Sequence, residues 1–375
     1  TLGADNGIGA AAALALLTSD GIKRGPLELI FTVEEETGLH GAMAFNAAYL
    51  QSKLLINLDS EDPNELTVGC AGGATVEVRP PLQWEPLPEG WVARELVVSG
   101  LQGGHSGIDI DKGRANAIKV LLAVLSGLRT ALEVRLAGIE GGTGHNVIPR
   151  EAKAVIAVSA SSAAGLGDVV DSIDESLRSD WSDKEPGLML TLTEATAPAQ
   201  VLEVRSEDNL LGLLTNIPDG AQDWSRQFPE KVETSSNLAQ AQIGPQEAVI
   251  MASARSLSAH KLFRTRTAIS TAGLKMGAKA TVVDSYPGWE PELDSSLLKV
   301  AAEQYEVVNG RPPSIQVVHA GLECGVLVSM KPDMQAISFG PRLTGAHSPK
   351  ESVDADTVNS MWLLLVGLLG ALAEE

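Results

Sequence analysis

Acidic residues stand at the ends of successive strand-like runs of this chain, where an α/β sheet would place an active site. Asp5 lies in a glycine-rich turn, Glu35 and Glu36 follow the apolar run 27–33, and Asp59 follows the run 53–58. The length and branched content of these runs are typical of buried parallel strands, and ligands gather at the carboxyl ends of such strands. A histidine from elsewhere would complete a metal site, because zinc favours mixed imidazole and carboxylate ligands.

His347 is the candidate for that histidine. It lies in a Gly- and Pro-rich loop after an apolar run and before the last predicted helix. Of the six histidines, only His319 and His347 follow strands of the C-terminal part of the chain. The sequence therefore predicts an imidazole near the strand-end carboxylates.

Each of these residues also has an ordinary structural interpretation. Asp5 could cap a helix, the acidic run 34–36 could be a solvated loop, and Asp59 could be a turn residue. Adjacent glutamates would repel each other unless a cation or a proton shares the site. A zinc site would explain the adjacent glutamates, because one can coordinate the ion while its neighbour transfers a proton. Taken together, the set favours a metal site.

Bulk composition excludes several classes of protein. The chain has 375 residues, enough for two domains, and 28 basic against 48 acidic residues give a net charge of −20. That sign opposes binding to nucleic acid or to an anionic membrane surface. Cys70 and Cys324 are the only cysteines and form no close pair in sequence, which predicts a reducing, cytoplasmic setting.

The two ends of the sequence lead to further predictions. The apolar stretch 362–373 is about half the length that spans a bilayer, so we interpret it as part of a capped, buried C-terminal helix. The chain opens in the turn around Asp5, which should follow a strand. We therefore expect a fragment of a longer protein.

The periodicity predicts a discontinuous α/β domain with an α+β insert. The N-terminal part alternates helices and strands at 8–17, 27–33, 41–50 and 53–59. The C-terminal part repeats this pattern at 295–307, 314–318, 321–329 and 334–339. The insert has predicted strands at 94–99, 132–139, 152–160, 188–194 and 248–255, and helices at 115–128, 164–177 and 261–276. The predicted boundaries are 1–72, 73–281 and 282–375.

Seven motifs resemble those of the aminoacyl-histidine dipeptidases, the carnosinase-like branch of the co-catalytic dizinc peptidases. They run in order from the first residue to the last and span 3–9, 34–38, 57–61, 103–107, 141–150, 319–325 and 346–351. The resemblance implies a dizinc aminopeptidase-like catalytic domain with a mostly parallel central sheet, and an inserted α+β lid domain. It also implies a homodimer as an expected assembly.

The resemblance also implies a role for each motif residue. Asp5 would bridge two divalent metal ions, zinc in the first place with manganese or cobalt as alternatives. Glu36 and His347 would complete the site of one ion, and Asp59 would serve the other. Glu35 would be the general base, and His105 would polarise the scissile carbonyl or stabilise the oxyanion. The expected substrate-binding residues are Asn146, Arg255, His319 and Glu323.

The sequence departs from the family pattern in one respect. The family has a His-x-Asp pair upstream of the bridging aspartate, and no such pair precedes Asp5. The chain thus carries four of the five expected protein ligands, and we expect it to be impaired or inactive alone. The predicted activity is hydrolysis of dipeptides, either of the Xaa-His type such as β-Ala-His or over the broad range of a cytosolic dipeptidase. The alternatives are hydrolysis of N-acyl amino acids and a non-catalytic scaffold.

Overall fold

A computed structural model describes residues 2–374 of the chain. The α-helices are α1 (Ala4–Thr18), α2 (His40–Met43), α3 (Ala117–Ala131), α4 (Ala160–Ala163), α5 (Leu166–Trp181), α6 (Val204–Asn216), α7 (Ala259–Lys275), α8 (Ser296–Asn309), α9 (Glu323–Met330) and α10 (Ala355–Leu372). Short 3₁₀ helices cover Ala47–Tyr49 and Ile110–Lys112.

The strands of the first half are β1 (Leu54–Asn57), β2 (Glu65–Cys70), β3 (Gly72–Arg79), β4 (Trp84–Pro86), β5 (Val92–Ser99), β6 (Gly104–His105), β7 (Val134–Gly141), β8 (Val147–Ile148), β9 (Ala152–Val158) and β10 (Met189–Glu194). Those of the second half are β11 (Gln200–Leu202), β12 (Gly220–Trp224), β13 (Val232–Ile243), β14 (Ala248–Ser256), β15 (Lys279–Tyr286), β16 (Ser314–Val318), β17 (Gln335–Ser338), β18 (Leu343–Thr344) and β19 (Ser352–Val353).

The chain forms two compact units. Unit 1 comprises 1–72, 257–259 and 286–375, and unit 2 comprises 73–256 and 260–285. Both ends of the chain therefore contribute to unit 1, and unit 2 is inserted between them. The catalytic and lid roles that the sequence suggests for these units remain predictions.

Unit 1 is built on a four-stranded sheet in the order β1, β17, β2, β16. The outer pairs, β1 with β17 and β2 with β16, are parallel, whereas β17 meets β2 antiparallel at Ser338 and Thr67. The predicted mostly parallel sheet is thus confirmed. Helix α10 packs on α8, and the buried Tyr305 of α8 donates its O–H to the carbonyl of Pro63 at 2.9 Å.

Two predicted elements of unit 1 are wrong. The apolar run 27–33 forms no strand, and Phe31 and Val33 are exposed. The described sheets provide no partner for this run, and an extended segment becomes a strand only when its backbone groups are paired. The predicted helix 41–50 is divided into α2 and a 3₁₀ turn, because Asn46 caps a new start by accepting the N–H of Ala48 at 3.0 Å.

Helix α10 is longer than the apolar stretch that predicts it. It has 18 residues with a mean hydropathy of 1.5, so by length and composition it could cross a membrane. Met361, Leu364, Leu365, Leu368 and Leu369 are buried at helical spacing. This stripe is the pattern of a helix that packs against a protein core, as the sequence predicts.

Unit 2 contains a nine-stranded sheet in the order β10, β5, β9, β7, β13, β14, β3, β15, with β12 added to β13. Neighbours such as β5 with β9 and β13 with β14 are antiparallel. Helix α3 contributes a nearly continuous buried face, and its first turn is capped by Asn116, which accepts the N–H of Ile118 at 3.0 Å. The predicted α+β insert is confirmed.

The end of β17 passes very close to the turn that follows β1. A Cβ atom on Gly340 would lie 1.7 Å from the carbonyl oxygen of Ser60, so only glycine fits there. Next to this approach, Ser338 donates its hydroxyl to Asn57 Oδ1 at 2.6 Å. The loop that carries Asp59 is therefore braced by a strand that is remote in sequence.

We predict that Gly340→Ala destabilises unit 1 by about 1–3 kcal/mol, because the backbone of Ser60 would have to move. The free energy of unfolding from urea titration measures this. Gly25→Ala is the matched control, since a Cβ at Gly25 has no atom within 4 Å. Equal urea midpoints for the two variants would contradict the proposed close approach.

Candidate metal centre

A tight turn positions Glu35 and Glu36. The carbonyl of Glu35 accepts the N–H groups of Gly38 at 3.1 Å and Leu39 at 2.9 Å. The N–H of Gly41 donates to Val33 at 2.9 Å, and a Cβ on Gly41 would lie 2.5 Å from the same carbonyl. The glycines of this segment therefore allow a turn in which two adjacent glutamates are fixed between an extended run and α2, with no flanking strand.

A compact loop positions His347. Strands β18 and β19 close its base through the pairs Leu343 with Val353 and Thr344 with Ser352. His347 itself has φ 60°, a left-handed conformation that non-glycine residues seldom adopt. The loop backbone is thus strained at His347, and backbone strain of this kind is frequent at functional sites.

The two segments and the start of α1 bring three of the predicted ligands together. Nε2 of His347 lies 2.8 Å from Glu36 Oε2 and 3.2 Å from Asp5 Oδ2. One ligand atom from each of the three residues lies within 4.8 Å of the others. His347 is 67% exposed and Asp5 only 15%, so the group opens to solvent on the imidazole side. An imidazole with two carboxylates is a donor set that suits zinc and similar divalent ions.

Asp59 lies outside this group of three but belongs to the same electrostatic cluster. Burial, followed by the charges of Glu35 and Asp5, raises the pKa of Asp59 to about 8. Burial, followed by the charges of Glu36 and Glu323, raises the pKa of Glu35 to about 7. These carboxylates lose water and repel one another. A bound cation would relieve both effects, so the residues fit a metal site.

Two further predicted residues, Glu323 and His319, belong to unit 1. Glu323 begins α9, its Oε2 accepts the hydroxyl of Thr32 at 2.9 Å, and burial raises its pKa. Its charge helps to raise the pKa of Glu35 and of Asp59, so it is part of the acidic cluster. His319 follows β16 and is buried. Their roles in substrate binding remain predictions.

Unit 2 brings His105 and Asn146 together. His105 pairs with Val147 between β6 and β8, and the N–H of Ser106 donates to the carbonyl of Asn146 at 2.8 Å. Nδ1 of His105 faces the N–H groups of Gly107 at 3.2 Å and Ile108 at 3.1 Å. Since Nδ1 accepts from these backbone donors, the proton of the neutral ring is on Nε2.

Arg255 lies on β14 of the same unit, opposite Ser235 of β13, and is 9% exposed. Asn237 of β13 donates to the carbonyl of Val147 at 2.8 Å. Strand β13 thus connects the strand of Arg255 to the loop of His105 and Asn146. The structure groups the predicted lid residues around β13, and their roles remain predictions.

Two further acidic residues near the cluster, Glu61 and Glu351, had no role predicted from the sequence. Glu61 follows Asp59 by two positions, and burial and the charge of Asp5 raise its pKa. Glu351 follows His347 by four positions, and the N–H groups of Gly3, Asp5 and Ala4 lower its pKa. Both residues lie in motifs that resemble those of the family, 57–61 and 346–351. Their closeness in sequence to the predicted ligands Asp59 and His347 was the signal that could have identified them.

Known proteins resemble this chain in sequence and in fold. Residues 97–185 match the family described as "Peptidase dimerisation domain". The cytosol non-specific dipeptidase of Escherichia coli (strain K12) is 38% identical over 369 residues, which cover 98% of this chain and 76% of that protein. The aminoacylhistidine dipeptidase of Vibrio alginolyticus superposes with a TM-score of 0.90 at 36% identity, over 99% of this chain and 76% of that one. A tripeptidase of Staphylococcus aureus shares the fold, with a TM-score of 0.50 at 15% identity over 100% of this chain and 72% of that one.

The fold and the carboxylate–imidazole cluster define a peptidase of the metal-dependent M20 class. The identity and coverage go further: the chain belongs to the family of the cytosol non-specific and aminoacylhistidine dipeptidases. The family resemblance read from the sequence motifs is thereby confirmed.

We predict that the metal-free protein loses stability as pH rises from about 4 to about 8, because of Glu35 and Asp59. Their pKa values are raised on folding, to about 7 and about 8, so the folded state keeps protons that the unfolded state releases in this range. Below their ordinary pKa values both states are protonated, and the effect vanishes. The melting temperature of chelator-treated protein across this range measures it.

Asp59→Asn tests this pH effect directly. The amide cannot ionise, so we expect the variant to melt at a higher temperature than the parent at pH 8, with a smaller difference at pH 5. Lys53→Gln, which removes an exposed partner of Asp333, serves as the control and should keep the slope of the parent. A parent whose metal-free stability is independent of pH would contradict the buried acidic cluster.

Proposed function

We propose that this protein hydrolyses dipeptides of the Xaa-His type with two divalent metal ions, zinc in the first place and manganese or cobalt as alternatives. The observation that carries the proposal is the cluster of Asp5, Glu36 and His347, next to a desolvated Glu35. The dipeptidases that the chain resembles support the substrate class. The N-acyl amino acid and scaffold alternatives have no comparable support.

Four residues of this chain would hold the ions. Asp5 would bridge, Glu36 and His347 would bind one ion, and Asp59 the other. When bound, divalent ions of this kind lower the pKa of water and polarise a carbonyl oxygen. The carboxylates of the chain offset the ionic charge, and the exposed side of His347 leaves room for a small substrate to approach.

Glu35 is the proposed general base. Its pKa of about 7 in the metal-free protein reflects loss of water and the neighbouring charges of Glu36 and Glu323. A carboxylate with a raised pKa can take a proton from the attacking water and then give it to the amine that leaves. Its neighbour Glu36 binds metal, so adjacent positions divide the two tasks.

His105 is the proposed donor to the oxyanion. The two backbone N–H groups that face Nδ1 keep the proton on Nε2, so the neutral ring is a hydrogen-bond donor without needing a second proton. Asn146 and Arg255 are the proposed contacts to the peptide backbone and the terminal carboxylate of the substrate, since guanidinium groups bind carboxylates in a fork. His319 and Glu323 are proposed to contact substrate from unit 1.

We further propose that the protein acts in the cytosol as a homodimer. The name of the Escherichia coli relative and the match to a peptidase dimerisation domain support this. Cys70 and Cys324 are buried free thiols, which suits a reducing compartment.

In a version of the protein that carries all five expected ligands, we expect Glu35→Gln to lower kcat by about 10²–10⁴-fold while metal stoichiometry is preserved, because the amide cannot move a proton. Hydrolysis rates and metal content by atomic absorption measure the two effects. Glu34→Gln is the matched control, since its side chain is 67% exposed and is paired only loosely with His40. The control should retain the kcat of the parent. Full activity of Glu35→Gln would remove Glu35 from the mechanism.

A substrate panel separates dipeptide hydrolysis from hydrolysis of N-acyl amino acids. We expect a version of the protein that carries all five expected ligands to cleave Ala-His and β-Ala-His. The same protein should cleave N-acetyl amino acids at least about tenfold more slowly, because a free terminal amine is part of the proposed substrate. Chromatography measures the rate at which free histidine or acetate is released, and these rates give kcat/KM for each compound. Preference for the acetylated compounds would favour the amidohydrolase alternative. A protein that carries all five expected ligands, binds metal and cleaves none of the compounds would favour the scaffold.

A further inference from the structure

Glu351 binds the backbone from which the proposed bridging ligand projects. Its carboxylate accepts the N–H groups of three successive residues: Gly3 at 3.1 Å, Ala4 at 2.8 Å and Asp5 at 3.1 Å. Oε1 accepts the N–H groups of Ala4 and Asp5, and Oε2 accepts the N–H of Gly3. Glu351 is 9% exposed, so this contact is largely shielded from water. The positions of all three peptide units are thus tied to one carboxylate.

The same loop that carries Glu351 also carries His347. Strands β18 and β19 close this loop, and inside it the N–H of Ser348 donates to Gly345 at 3.2 Å and the N–H of Glu351 donates to Ser348 at 3.2 Å. A Cβ on Gly345 would lie 2.9 Å from the carbonyl of Lys350, so the loop is compact. One compact segment therefore carries the proposed ligand His347 and also binds the backbone of the proposed ligand Asp5.

Capping of α1 does not account for the contact. Asp5 and Asn6 have non-helical backbone angles, so the regular part of α1 begins after them. Asn6 already serves as a cap, since its Oδ1 accepts the N–H of Gly9 at 2.9 Å. The backbone N–H groups that donate to Glu351 precede the regular part of α1. They belong to the irregular segment that carries Asp5.

We propose that Glu351 is a positioning residue of the metal centre, which fixes Asp5 at the distance from His347 and Glu36 that a shared ion requires. This inference rests on the proposed function. Its physical basis is that a ligand held in place before binding loses less conformational freedom when the ion arrives. This role needs no contact between Glu351 and the ion, because Glu351 acts through the backbone N–H groups of the segment that carries Asp5.

Titration of the full chain with Co²⁺ alone, followed by visible absorption, tests the inference without catalysis. We expect Glu351→Gln to weaken Co²⁺ binding by about 10–100-fold, the usual effect of removing a group that orients a ligand. The amide keeps one acceptor but turns an NH₂ group toward backbone donors. Glu351→Asp keeps the charge with a shorter reach, and its Kd should lie between those of the parent and Glu351→Gln.

Glu28→Gln is the matched control. The Glu28 carboxylate also accepts successive backbone N–H groups, from Gln51 at 3.1 Å and Ser52 at 2.7 Å, together with the Ser52 hydroxyl. It lies in unit 1, and no residue of the metal centre is among its hydrogen-bond partners. We expect this variant to bind Co²⁺ within about twofold of the parent, with any cost limited to its melting temperature.

Each outcome of the Co²⁺ titrations either supports or overturns the positioning role of Glu351. A Co²⁺ Kd of Glu351→Gln equal to that of the parent would overturn the positioning role and leave the proposed function intact. Equal weakening by Glu28→Gln would also overturn it, because the effect would then be general instability. If Glu351→Gln does not fold, a Glu351→Asp variant with the Kd of the parent overturns the role, and a weakened one supports it. A parent that binds no Co²⁺ would overturn the proposed function and this inference together.

Discussion

The central constraint on this protein is the repulsion among carboxylates that are held together and partly removed from water. Asp5, Glu35, Glu36 and Asp59 converge at one end of the unit 1 sheet, and the pKa values of three of them are raised by burial and by one another. Such a cluster is unfavourable as ionised side chains alone. In the proposed metal centre, a divalent cation would reverse the sign of the interaction, so the feature that destabilises the metal-free fold would provide the affinity for metal.

The fold keeps these side chains in place with elements that are short and tightly bonded. The turn of Glu35 and Glu36 has no flanking strand and is closed by hydrogen bonds to Val33 and Glu35 carbonyls. The loop of Asp59 is braced where Gly340 passes Ser60, and the loop of His347 is closed by a two-stranded ribbon. Glycine at the close approaches permits this, because any Cβ would clash. Precision at the site thus comes from loops fixed by distant parts of the chain.

Unit 2 illustrates a different use of backbone bonding. His105 could donate or accept through either ring nitrogen, but the N–H groups of Gly107 and Ile108 fix Nδ1 as an acceptor. The ring is thereby prepared as a donor through Nε2. In both units, backbone N–H groups set the state of a side chain: the tautomer of His105 and the orientation of the Glu351 carboxylate.

The sequence by itself determined the fold class and the family, and it predicted the residue types of the candidate site. Apolar periodicity is a local property, so α3, β5, β9 and β16 were predicted close to their observed bounds. The motifs around Asp5, Glu35 and His347 identified the family because their residue types follow from the chemistry. The local pattern failed to predict structure where pairing with remote segments decides it. The run 27–33 is the example, because it has no partner strand in the described sheets. Only the tertiary structure showed that Glu351 holds the backbone of Asp5, because that contact joins residues 346 positions apart. No periodicity or spacing encodes which carboxylate meets which N–H group across such a distance.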